Sequence, residues 1–118
     1  GPSPQYPDGC PLLIGDDVLI GHMAMVHGCR IEDRGFVGLG AIAMNNAVIA
    51  SDAMLAAGAM LTENKAMGER ELWGGRPARK MRDLDDAAIA GMQLGVAHYA
   101  ENAKHHAAAL AQSEQARG

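Results

Sequence analysis

Aromatic side chains are scarce in this sequence: its 118 residues hold one Trp, one Phe and two Tyr. A core built on large rings is therefore excluded. Thiols are almost as rare. Cys10 and Cys29 are too few for a disulfide-built scaffold, and both read as reduced, Cys29 as a small packed residue. No apolar run is long enough to span a bilayer, and the opening GPSPQYPDGCP has neither a basic nor an apolar leader region. The chain thus reads as cytoplasmic, with no membrane partner. The formal net charge is −4 and no basic block follows a phosphate backbone, so no nucleic acid is expected as a partner either.

Gly, Ala, Met and aliphatic residues are abundant, and they are periodic. Ile14, Ile20 and Val26 stand six residues apart, as do Ile31, Val37, Ala43, Ile49, Leu55 and Leu61, with a slip of one residue between Val26 and Ile31. Two positions before each anchor of the longer set lies a small residue: Cys29, Gly35, Ala41, Ala47, Ala53 and Ala59. A six-residue period fits neither a helix nor a simple hairpin. It fits a β-solenoid whose hexads form the short sides of a polygon, with anchors inward and small residues at the corners.

The expected architecture is an all-β solenoid with a C-terminal α-helix. Residues 1–11 form a lead-in, 12–66 about three coils, 67–83 a connecting loop that reverses direction, 84–112 the helix and 113–118 a tail. Asp85 suits the N-cap, and Leu84 with Ile89 has the spacing of a hydrophobic staple. Ile89, Met92, Val96, Tyr99, Ala103, His106 and Leu110 make one seam, expected to pack on the solenoid or on a neighbouring chain.

The stretch IGHMAMVHGC, residues 20–29, places His22 and His27 five residues apart. Five helical steps turn the second imidazole roughly 140° from the first, and an odd separation on a strand sends the two to opposite faces. Within the hexads they occupy successive sides of the coil and point outward. Chains packed around a threefold axis could bring His22 of one to His27 of the next.

The hexads resemble the left-handed parallel β-helix of the hexapeptide-repeat superfamily, from which the left hand is taken. IGHMAMVHGC, VGLGAIAMNNAVIASDAMLAAGAML, ENK at 63–65 and GGRPARKMR resemble the γ-class carbonic anhydrases, from about Tyr6 to about His106. That resemblance implies a homotrimer with zinc, or iron in some members, at each subunit interface. It makes His22 a ligand from one subunit and His27 a ligand from its neighbour, and matches Tyr99 to a helix tyrosine near the active site. The implied reaction is reversible hydration of carbon dioxide to bicarbonate by water activated on the metal.

The sequence departs from that family in one large respect. A third histidine, carried upstream of the segment Pro7–Gly15, has no counterpart here, nor have the earlier coils. The initial Gly-Pro reads as a tag remnant, and the chain as a truncated form left inactive. Catalytic zinc usually takes three protein ligands, and His105 and His106 more simply complement a helix C-terminus than replace the lost one, as does His98 a solvated site. Two other functions fit the scaffold: a non-catalytic trimeric assembly subunit, and a hexapeptide acyltransferase with a histidine general base.

Overall fold

A computed structural model describes residues 10–94. Its chain winds through ten two-residue strands: β1 (Leu13–Ile14), β2 (Leu19–Ile20), β3 (Met25–Val26), β4 (Arg30–Ile31), β5 (Phe36–Val37), β6 (Ile42–Ala43), β7 (Val48–Ile49), β8 (Met54–Leu55), β9 (Met60–Leu61) and β10 (Ala66–Met67). Every third strand stacks in parallel on the one before, giving three faces. The first face holds β1, β4, β7 and β10; the second holds β2, β5 and β8; the third holds β3, β6 and β9. This is the left-handed parallel β-helix of about three turns that the hexads imply.

Each two-residue strand divides its labour as the pleat requires. The second residue points inward, so Ile31, Val37, Ile49, Leu55 and Leu61 are buried, and the small residue two positions earlier is buried with it. Ala41, Ala47, Ala53 and Ala59 fill corners too narrow for a longer side chain. The first residue points outward. On the second face the outward column is Leu19, Phe36, Met54 and, from the next strand, Leu72; on the third it is Met25, Ile42 and Met60.

Corners are tight turns whose third residue lies in the left-handed region, as in a type II turn. Asp17, Met23, Arg34, Gly40, Asn46, Asp52, Gly58, Asn64 and Arg70 all have φ between 57° and 71°. Stacking then sorts the corners by chemistry. The corner between the first and second faces carries Asp17, Arg34, Asp52 and Arg70, an alternating ladder in which Arg34 Nε donates to Asp52 Oδ1 at 2.8 Å. That hydrogen bond is the main reason the Arg34 guanidinium titrates above its ordinary range. The corner between the third and first faces pairs Asn46 Nδ2 with Asn64 Oδ1 at 2.7 Å.

Residues 67–83 are not the connecting loop expected from the sequence. Glu71–Gly74 forms β11, which extends the second face, and Arg79–Asp83 forms β12, which pairs with β11 antiparallel across a bulge. The chain does reverse here, through Gly75 with φ 94°. A helix begins at residue 86 and is described to residue 94. Asp85 caps it, its Oδ1 accepting the Ala88 N–H at 2.8 Å, and Leu84 beneath is buried. The rest of the expected helix, with Val96, His98, Tyr99, His105 and His106, lies outside the described residues.

Candidate metal centre

His22 and His27 stand at the two ends of β3, and both side chains are exposed. His22 is the second residue of a regular corner: Ala24 N–H donates to Gly21 C=O at 3.2 Å, and Met23 between them has φ 59°. Its carbonyl accepts the Gly40 N–H of the next coil at 2.9 Å. The five-residue spacing is thus resolved by a bend, since a corner and a short strand separate the two imidazoles along one face.

The corner after His27 is built differently. Leu13 pairs with Arg30, seventeen residues on, whereas Arg30 pairs with Val48, eighteen on, so the first coil is one residue short. The missing residue is the left-handed one: no residue between Met23 and Arg34 has positive φ. In its place Cys29 N–H donates to His27 C=O at 2.7 Å, a three-residue γ-type turn centred on Gly28. Gly28 N–H donates to Asn45 Oδ1 at 3.0 Å, while Gly28 C=O accepts from Asn46 N–H at 2.8 Å and from Cys10 Sγ at 2.8 Å. An added Cβ at Gly28 would fall 2.0 Å from the Cys10 carbonyl oxygen, so only glycine fits. Beside it Cys29 is buried, and burial pushes its thiol pKa up.

The register slip was visible in the sequence; the Asn45 contact was not, because an asparagine at a corner reads simply as a turn former. The eighteen-residue recurrence of polar corner residues does not point to it either, because this contact crosses the short coil and joins residues seventeen apart.

Imidazole nitrogen is a good donor for zinc or iron, so the residue types at these corners fit a metal. Number is the obstacle. Among the described residues no group of three His, Cys, Asp or Glu side chains is placed to hold an ion. A site using these histidines therefore has to be completed from elsewhere.

The coil defines the class of fold: this chain is a left-handed parallel β-helix built from six-residue repeats. No protein-family model matches it. It is similar in fold to a putative acetyltransferase of Bacillus cereus, with TM-score 0.79 and 30% identity over 86% of this chain and 58% of that one. It is 42% identical over 98 residues to gamma carbonic anhydrase 1, mitochondrial, of Arabidopsis thaliana, which covers 83% of this chain and 36% of the relative. To the probable carbonic anhydrase of Methanocaldococcus jannaschii it is 46% identical over 91 residues, 77% of this chain and 57% of the relative. Over most of its own length the chain is thus similar to γ-class carbonic anhydrases. The chain spans about a third to somewhat over half of the length of these curated relatives.

Proposed function

We propose that the protein forms a metal site between copies of itself, with His22 of one copy and His27 of another as ligands. The observation that carries this reading is the placement of both exposed imidazoles at opposite ends of one face. The outward column of that face, Met25, Ile42 and Met60, is apolar, and Met25 is 55% exposed in the single chain. Three copies around an axis parallel to the coil would cover such columns and set the His22 end of one face beside the His27 end of the next.

The metal of this reading is zinc, with iron as the alternative, and it supplies Lewis-acid activation of water. The reaction is reversible hydration of carbon dioxide to bicarbonate. The two imidazoles would hold and orient the ion through ring nitrogens, and the apolar columns would limit the access of bulk water to it. Tyr99 is proposed to line the same site. Two histidines fall one short of the usual three, so hydration belongs to a form in which a third donor completes the set, and metal binding to the 118-residue chain.

Metal analysis of the purified chain tests the reading. Bound zinc or iron is expected in the unsubstituted protein, with loss to background in both His22→Ala and His27→Ala. Metal retained in either variant refutes the assignment of that ligand. Stopped-flow hydration assays separate binding from catalysis, and acetyl-CoA binding by calorimetry would instead support the acyltransferase function suggested by the shared fold.

A further inference from the structure

The two histidine corners differ in what lies above them in the next coil. Over His22 stands Leu39, which offers no side-chain acceptor; over Gly28, the residue that follows His27, stands Asn45. Its Oδ1 takes the Gly28 N–H at 3.0 Å, while the His27 carbonyl, at the other end of the same peptide unit, takes the Cys29 N–H at 2.7 Å. Both polar ends of that peptide are therefore fixed. Among the described residues the same device recurs where Asp33 Oδ1 accepts the Asp16 N–H at 2.8 Å. A carboxylate can thus do what the amide does.

We infer that Asn45 is a positioning residue for His27. By holding the Gly28 N–H it keeps the shortened corner in one conformation, and so aims the imidazole that leaves the backbone one residue earlier. The inference rests on the reading of His27 as a metal ligand. A three-residue turn closed by one i to i+2 bond has few restraints of its own; Asn46 N–H and Cys10 Sγ hold the Gly28 carbonyl, but a part-buried Gly28 N–H without an acceptor still drives the corner to rearrange toward water. His22 needs no such help, because its corner is a complete four-residue turn.

The test compares Asn45→Ala, Asn45→Leu and Asn45→Asp in the 118-residue chain, first without metal. Amide exchange at Gly28 is expected to accelerate about tenfold or more in the Ala and Leu variants, relative to neighbouring corners. The His27 imidazole resonances are expected to shift while those of His22 stay in place. Asn45→Asp should restore both, which a general loss of stability would not allow. Zinc titration follows, with a severalfold weaker affinity expected for Asn45→Ala and recovery in Asn45→Asp. Unchanged Gly28 exchange, or unchanged zinc affinity in Asn45→Ala where His27→Ala abolishes binding, overturns the positioning role. Zinc retained by His27→Ala, or absent from the unsubstituted chain, overturns instead the ligand reading beneath it.

Discussion

The two ends of the solenoid are finished differently. At the C-terminal end the inward anchor Met67 is 2% exposed, and Ala78 and Leu84 are buried as the β11–β12 hairpin and the helix start fold over the last coil. At the N-terminal end Leu13 and Ile14 are 50% and 47% exposed, and β1, β2 and β3 each form the edge of their sheet. A parallel coil has no means of satisfying its own terminal strands, so among the described residues one end is covered by chain and the other presents strand edges with no paired neighbour. Both candidate ligands ride on the open end.

The largest test of that contrast is to empty one anchor at each end. Met67→Ala removes a fully packed side chain and is expected to cost about 2–5 kcal/mol. Ile14→Ala removes one already half in water and should cost less than half as much. Chemical denaturation of the two variants measures both. Equal losses would mean that the open end is covered in solution, which would itself point to a neighbouring chain seated there.

A second comparison reverses the order of the ends. Gly21 and Gly74 occupy the same column, each following the inward residue of its strand on the second face. A Cβ on Gly21 would lie 2.8 Å from the Leu39 nitrogen and 3.0 Å from the Gly38 carbonyl carbon, backbone that cannot yield without separating two coils. Gly21→Ala is therefore expected to cost about 1–3 kcal/mol. At Gly74 the nearest atom is Met81 Sδ at 2.7 Å, the end of a flexible side chain that is 64% exposed and can swing away. Gly74→Ala should change thermal stability little, and a loss as large as that of Gly21→Ala would show that Met81 is held where it lies.

Much of this was legible in the sequence because a solenoid repeats one local rule. Ile31, Val37, Ile49, Leu55 and Leu61 announce their burial by spacing alone, and Asp85 announces a helix start by its type. The hairpin was not legible. Gly74, Gly75 and Pro77 read as breakers, and β12 shows no alternation, since Arg79, Lys80, Met81, Arg82 and Asp83 are all exposed. Charged residues there protect a sheet edge instead of marking a core. His22 and His27 were legible as candidates, but whether they share a site was not, because no pattern within one sequence displays what a second copy would contribute.

The smallest effect concerns the closed end and pH. Glu71 accepts the Gly68 N–H at 2.6 Å and the Trp73 Nε1–H at 3.1 Å, and Lys80 Nζ lies 3.2 Å from its other oxygen. The Gly68 bond first, then those from Trp73 and Lys80, hold the carboxyl below its ordinary range despite some desolvation. A depressed carboxylate binds its proton less readily in the folded than in the unfolded chain, whose value is about 4.3. Its contribution is thus complete above that value and is lost as pH falls through the folded pKa. Stability measured from about pH 6 down to about pH 3 should decline less steeply in Glu71→Gln than in the unsubstituted chain. Lys80→Met, which leaves the two hydrogen bonds to Glu71 in place, should retain most of the decline, because the lysine acts on Glu71 through a partly exposed pair. Complete loss of the pH dependence in Lys80→Met would transfer the anchoring of this end from the hydrogen bonds to the ion pair.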